Sequence, residues 1–410
     1  MQSGEVPSHT NGNYFHRYLN YAVSLLDNYH GNEPFHLYLK KYFSVNKKHG
    51  SKDRKIISSL CYDFFRLGFG VSSVISIEEK LLLATFLIEN NSSFILQKLK
   101  PDWNEKIQLS LSEKIKTVKN IFTAANIFPF NNELSDEINI DQFNLSFLTQ
   151  PKLFIRIRPG QQKLVFDKLK TANISFEKLN NSCLAFSNNE KVSDVLLIDK
   201  EAVIQDYNSQ KTLNLLASYI EYPTSSISIW DCCAASGGKA ILAHDLLKDI
   251  KLTVSDTRKN ILQNLKLRFE KAGIKNYTSF IADLSGSPPP ESFSRPFGRI
   301  NGRPPFDLII ADVPCSGSGT WARTPEQLSF FDKKEIKRYT ELQQKIVLNA
   351  VPYLKENGFL LYITCSVFKR ENEENVIFIQ EKTGLQLVKA EYLKGSEMQA
   401  DTLFVALFKK

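Results

Sequence analysis

The chain has 410 residues, 42% of them hydrophobic and 23% charged, with a formal net charge of +8 and a mean hydropathy of −0.24. That length exceeds one usual domain and points to two or three, and the composition is that of a globular protein rather than of any non-globular class. The basic surplus suits a polyanionic partner and equally suits many soluble proteins.

The six cysteines, Cys61, Cys183, Cys232, Cys233, Cys315 and Cys365, show no CxxC spacing. No metal site is expected from them, nor a disulfide framework, and they fit a reducing compartment. Residues Met1 to Tyr14 are polar and lack a basic stretch followed by an apolar one, so no signal peptide is read. The apolar runs are too short to span a bilayer. The expectation is a cytoplasmic protein with no membrane contact, a monomer by default.

Residues 1–145 read as helical. Between Asp53 and Leu67, apolar residues recur at Ile56, Leu60, Phe64 and at Ile57, Cys61, Phe65, the spacing of a buried helix face, and 81–88 forms a second apolar helix. Lys47, Lys48, Lys52, Arg54 and Lys55 read first as a solvated loop and helix start, and second as a phosphate-contacting patch. Cys61 reads as a core residue.

Residues 146–205 change character. Leu153 to Arg158 alternates like a strand and stops at Pro159-Gly160; a short helix around 164–169 follows, then strands at 183–186 and 195–198. This is a small α+β module. Arg156 and Arg158 share one strand face, which meets either a phosphate backbone or water.

From 206 to 410 the pattern is a doubly wound sheet. A helix is expected over 212–222. Strands are expected at 228–230, 252–255, 277–281, 306–310, 358–363, 385–388 and 403–408, with helices at 239–247, 259–272, 333–354 and 371–381. Asp332 and Glu335 suggest a capping box for the longest helix. Strands and helices joined by short connections argue for a mostly parallel sheet covered on both faces. Ser285 to Pro305, with six prolines and three glycines, reads as an exposed insertion.

Chemistry gathers at the strand ends. The run 306–310 leads into Ala311-Asp312-Val313-Pro314-Cys315-Ser316-Gly317, and 359–363 leads into Thr364-Cys365-Ser366, so an acid and two thiols stand where a sheet presents groups to a ligand. After the first strand comes Cys233-Ala234-Ala235-Ser236-Gly237-Gly238-Lys239. Its small residues allow close approach of the backbone, and the helix that follows offers free N–H groups to an anion. It is neither a dinucleotide fingerprint nor a Walker loop. The carboxylate-bearing end of S-adenosylmethionine fits it, with Asp256 placed for ribose hydroxyls and Asp283 for an adenine amino group. Asp231, Asp256, Asp283 and Asp312 together outline one groove.

These motifs resemble those of the RsmB/Sun (Fmu) family of RNA cytosine-5 methyltransferases, over roughly residues 200–410 and in family order. Ile204-Gln205-Asp206 and Arg323-Thr324-Pro325-Glu326 also resemble family segments. Ser44 to Gly68 resembles more weakly the NusB-like helical domain of some members, and 146–205 resembles the family's small RNA-binding piece. The family usually carries proline where this chain has Ser236, and threonine or serine where it has Ala240, departures expected to change cofactor contacts without abolishing activity.

The resemblance implies a Rossmann-like S-adenosylmethionine-dependent methyltransferase domain acting on RNA, with ribosomal RNA favoured. By resemblance Cys365 is the nucleophile that adds to carbon 6 of cytosine, Asp312 contacts nitrogen 3, and Cys315 assists elimination. In the DNA cytosine-5 enzymes the nucleophile follows a proline, which would nominate Cys315; the Thr364-Cys365-Ser366 motif favours Cys365. Two alternatives stand beside this reading: the same chemistry on tRNA, and a catalytically silent RNA-binding assembly factor, against which the intact cysteine pair argues. A small-molecule methyltransferase would leave the N-terminal 200 residues unexplained.

Overall fold

A computed structural model describes residues 14–216, 226–247, 249–286 and 306–410, and within them the chain forms two units. The first comprises the described part of Met1–Pro129 with Ile140–Gln150 and Thr324–Phe331; the second comprises Phe130–Asn139 and the described parts of Pro151–Arg323 and Asp332–Lys410.

The first unit is helical: α1 (Tyr14–Asn28), α2 (Phe35–Val45), α3 (Ser51–Arg66), α4 (Ile77–Ile88), then the shorter α5 (Phe94–Leu99), α6 (Pro101–Glu105), α7 (Leu111–Thr117) and α8 (Ile140–Phe147). The apolar spacing read in α3 buries Ile57, Leu60, Cys61 and Phe65. Burial pushes the Cys61 thiol up, as for a core residue. Asp53 caps the start of α3 by accepting the Gly50 N–H at 3.0 Å. Every residue from Leu81 to Leu87 in α4 is buried, so this helix is apolar all round because it is the core. Lys47, Lys48, Lys52, Arg54 and Lys55 are all exposed.

The second unit opens its main body with a four-stranded antiparallel sheet in the order β2-β3-β1-β4, where β1 is Leu153–Ile157, β2 Glu177–Lys178, β3 Cys183–Phe186 and β4 Ala202–Ile204. Helix α9 (Gln162–Thr171) covers it, packing Val165 and Leu169 on Ile155, Ile157 and Leu184. The strand expected at 195–198 is not formed. A turn of 3₁₀ helix occupies Val192–Asp194, Ile198 makes one bridge to Ala202, and the strand itself comes later, at β4. Arg156 and Arg158 do not present a free strand face: both close on Asp245 of α10 (Gly238–Leu246), at 2.6 Å each. A strand face packed on a neighbouring element alternates in sequence like a solvated one, so the pattern could not separate the two.

The larger sheet has seven strands in the order β10-β11-β9-β8-β5-β6-β7. These are β5 (Ile227–Asp231), β6 (Ile250–Asp256), β7 (Tyr277–Ile281), β8 (Phe306–Asp312), β9 (Leu354–Thr364), β10 (Gln386–Leu393) and β11 (Leu403–Lys409). Strands β5 to β9 are mutually parallel, and β11 alone runs antiparallel, between β9 and the edge strand β10. Helices α10 and α11 (Lys259–Ala272) pack on one face with Ile229, Ile310 and Ile363; α12 (Lys334–Ala350) and α13 (Glu373–Thr383) cover Trp230, Ile309 and Tyr362 on the other. This is the expected α/β class with a parallel Rossmann-like core.

Several expected boundaries shift. The described part of the 212–222 helix is 3₁₀ at Asn214–Leu216, and its remainder lies outside the described residues, as do 287–305 of the insertion. The longest helix ends at Ala350 and Leu354 already begins β9. No Asp332–Glu335 capping box forms: Asp332 accepts the Lys334 N–H at 2.9 Å, and Glu335 pairs instead with Arg338, one turn along the exposed helix face. Among the described residues, no helix is long and apolar enough to cross a membrane.

Candidate active site

Strand order places the site. The chain leaves β5 toward β6 on one side, and β8 lies on β5's other flank, so the loops after β5 and β8 diverge and open a crevice at the carboxyl ends. Asp312, Asp231, Asp256 and Asp283 come from or just after β8, β5, β6 and β7, four consecutive neighbours in the sheet.

Cys315 and Cys365 meet across the β8–β9 pair. Their sulfurs are 3.2 Å apart, and the Cys365 N–H donates to the Cys315 sulfur at 3.3 Å. The Cys315 thiol is pushed well up, first by its hydrogen bond with Cys365 and then by burial, so it rests protonated. The loops are pinned from behind. The Cys365 carbonyl accepts the Gly319 N–H at 2.8 Å, and a Cβ at Gly319 would lie 2.0 Å from the Thr402 carbonyl oxygen, so only glycine fits there.

Sequence reasoning did not find the carboxylate that joins the two cysteine loops. Glu371, fully buried, accepts the Ser316 N–H at 2.9 Å and the Gln343 amide at 2.7 Å on one oxygen, and the Ser366 hydroxyl at 2.7 Å on the other. It therefore ties the residue after Cys315 to the residue after Cys365. Burial raises its pKa, against those three donors. The sequence places Glu371 at the start of a helix; α13 begins two residues later, and nothing local in sequence marks a buried acid.

Lys239 was read as part of the cofactor loop. Its ammonium also donates to Asp312 Oδ2 at 2.7 Å, with 13% of the side chain exposed. Burial alone would lower its pKa, but the Asp312 charge and hydrogen bond outweigh that, helped by Cys365 and Asp231, and Lys239 stays charged. One cation thus stands beside Asp312 and within electrostatic reach of the Cys365 thiol.

The loop Cys233 to Lys239 is a strained turn. Ala235 has φ +45° and Gly237 φ +84°, and a Cβ at Gly237 would strike Phe269 at 2.8 Å. Ala234 N–H donates to the Ser255 carbonyl and Ala235 N–H to Asp256 Oδ2 at 3.0 Å, which fastens the turn to β6. Cys233 is half-buried, its thiol raised by a hydrogen bond with Cys232 and by burial. Ser236 is not loose: Arg268 of α11 donates to its carbonyl at 2.9 Å and to its hydroxyl at 3.0 Å. Ala240 is fully buried in α10 and faces the core.

The loop fits a ligand with an anionic end, a positive centre and ribose hydroxyls. A Cβ at Gly238 would meet nothing within 4 Å, so open space lies over the first amides of α10. Among the described residues, no donor bonds either oxygen of the fully buried Asp231, and burial and then Asp312 raise its pKa to about 8, with Lys239 opposing. Such an acid favours a cation beside it. Asp256 is held below its ordinary range: burial opposes ionisation, but bonds from the Arg258 side chain and amide and from the Ala235 N–H prevail. Asp283 is exposed and accepts the N–H and hydroxyl of Ser285. It lies on the crevice side of the sheet without contacting the thiols.

Residues 218–406 match the family model described as the 16S rRNA methyltransferase RsmB/F. Among curated relatives, the human tRNA (cytosine(72)-C(5))-methyltransferase NSUN6 is 32% identical over 207 residues, 46% of this chain and 40% of that protein. The probable ribosomal RNA small subunit methyltransferase B of Bacillus subtilis is 30% identical over 183 residues, 44% of this chain and 38% of that one, and a mouse 28S rRNA (cytosine-C(5))-methyltransferase is 28% identical over 44% of this chain and 22% of its own. The matched part thus spans two-fifths or less of these relatives. Among solved structures, PH0851 shares the fold over 98% of this chain and 100% of its own, with TM-score 0.68 and 18% identity. NSun6 from Pyrococcus horikoshii with SFG does so over 66% and 94%, with TM-score 0.54 and 16% identity. The matched residues 218–406, which contain the 233–239 loop and both cysteine loops, are thus similar to the RsmB/F methyltransferases.

Proposed function

We propose that this protein transfers a methyl group from S-adenosylmethionine to carbon 5 of a cytosine in RNA, and that the RNA is ribosomal. The observation that carries the reading is the contact of two thiols at adjacent strand ends, 3.2 Å apart, beside the Lys239–Asp312 pair. The family description and most of the relatives named above favour ribosomal RNA; the NSUN6 match favours tRNA as the second reading. The helical segment 1–145 and the module 146–205 precede the methyltransferase domain 206–410 in this scheme.

Cys233 to Lys239 and Asp256 would hold the cofactor, with Asp283 at its adenine end. Bound there, it supplies an electrophilic methyl group. Cys365 adds its sulfur to carbon 6 of the cytosine, its proton passing to water, and the ring's electrons shift to make carbon 5 nucleophilic. Asp312 contacts nitrogen 3, and Lys239 balances its charge. Cys315, resting protonated, gives its proton to solvent water once Cys365 has bonded to the base; as thiolate it then takes the carbon 5 proton, and the C–S bond to Cys365 breaks.

The two cysteines should therefore fail differently. Cys365→Ala is expected to lose both methylation and covalent RNA adduct. Cys315→Ala is expected to attack and stall, so that a protein–RNA adduct builds up on a denaturing gel. Exchange of the two phenotypes would reverse the assignment, and no adduct from any variant would remove the covalent mechanism. Bisulfite sequencing of ribosomal and transfer RNA from a deletion strain against wild type separates the two substrate classes.

A further inference from the structure

The small α+β sheet is fastened to the cofactor loop by a chain of charges in which the side chains of Asp199 and Asp245 are buried and those of Arg158 and Arg268 half-buried. Arg268 donates to both carboxylate oxygens of Asp199, at 2.7 to 3.1 Å, and with its other nitrogen to the carbonyl and hydroxyl of Ser236. Asp199 belongs to the small module, is 4% exposed, and holds a left-handed turn at φ +70°. Its own carbonyl accepts from Arg158, which, with Arg156, also grips Asp245 near the far end of the helix that starts at Gly238. The module thus holds the cofactor loop at Ser236 and the helix behind it at Asp245. Between those two points lie the strained residues Ala235 and Gly237 and the open amides of α10. Strained backbone persists where its surroundings over-determine it, and Ser236, flanked by two left-handed residues, has a charge-assisted donor on its carbonyl.

We propose that Arg268 and Asp199 form a positioning pair through which the small module sets the shape of the cofactor loop, so that cofactor affinity depends on a residue outside the methyltransferase sheet. The proposal rests on the cofactor reading above. Asp199 acts through Arg268, so the effects of removing them overlap rather than add.

The test is calorimetry of the full chain with S-adenosylhomocysteine, together with amide hydrogen exchange across 233–239 without ligand. Arg268→Ala is expected to weaken binding by about tenfold, the size of one charge-assisted bond. It should also speed exchange in that segment alone. Asp199→Asn should weaken binding less, and the double variant should bind no more weakly than Arg268→Ala. In turnover assays KM for the methyl donor should rise while kcat and KM for RNA hold. Binding by Arg268→Ala equal to wild type, additive losses, or unchanged exchange at 233–239 would overturn the proposal. If wild type itself binds nothing, the cofactor assignment fails instead, and the exchange measurement still decides whether the brace exists. Should Arg268→Ala not fold, Arg268→Lys, which can reach Ser236 or Asp199 but not both in the same geometry, carries the same test.

Discussion

Asp231 stands in the sheet with neither oxygen bonded among the described residues and a pKa raised to about 8 from an ordinary 3.8, first by burial. The native state then keeps a proton that the unfolded chain sheds, so stability falls as pH rises through that interval. Asp231→Asn removes the penalty: its melting temperature should exceed that of wild type at pH 8, the gap closing toward pH 4. A variant no more stable than wild type at pH 8 would mean that the acid is paired in the free protein. Arg258 offers a second test. It occupies Asp256 in the free protein, so Arg258→Ala should leave the acid open to ribose hydroxyls and tighten S-adenosylhomocysteine binding severalfold by calorimetry; weaker binding would make Arg258 part of the site. At this scale the sequence was informative where a residue's position follows from its place at a strand end, as for Asp312, Cys315 and Cys365, which the fold places at the ends of the adjacent strands β8 and β9. It was silent on Glu371, Arg258 and Arg268, because their partners lie far along the chain or depend on a turn whose shape no local pattern announces.

Between elements, the Arg156–Asp245–Arg158 cluster is the clearest energetic feature. The Asp245 side chain is 3% exposed, and His244, Arg158 and Arg156 overcome the effect of burial to hold its pKa at about 2. A depressed acid adds stability above its ordinary pKa and loses it as pH falls toward 2. Asp245→Ala would leave two guanidinium groups buried without their counter-charge, at a cost of roughly 3–5 kcal/mol in urea unfolding. A loss below 1 kcal/mol would show that water reaches the cluster. Helices and parallel strands were legible because 3.6-residue and continuous apolar periods are strong signals. The exceptions have specific causes. Residues 195–198 are apolar but turn before pairing, and Arg156 and Arg158 alternate in the same way whether a strand faces water or a neighbouring element.

For the molecule as a whole, strand order converts scattered motifs into one site. Residues 231–239, 256, 312–315 and 364–366 are separated by up to about 130 positions, yet the switch between β5 and β8 brings them to one crevice. The sequence shows the alternation that implies such a sheet, but not which strands neighbour each other. The antiparallel return from β10 through β11, which carries Thr402 to Gly319 behind Cys365, emerges only from the fold. The covalent bond at Cys365 is the step on which the functional account turns. The most direct test is to trap the full chain on ribosomal RNA fragments containing 5-azacytosine, digest the adduct and sequence the peptides by mass spectrometry. The account predicts the nucleotide on the peptide carrying Cys365 and no adduct with Cys365→Ala; a nucleotide on Cys315, or an undiminished adduct with Cys365→Ala, would contradict it.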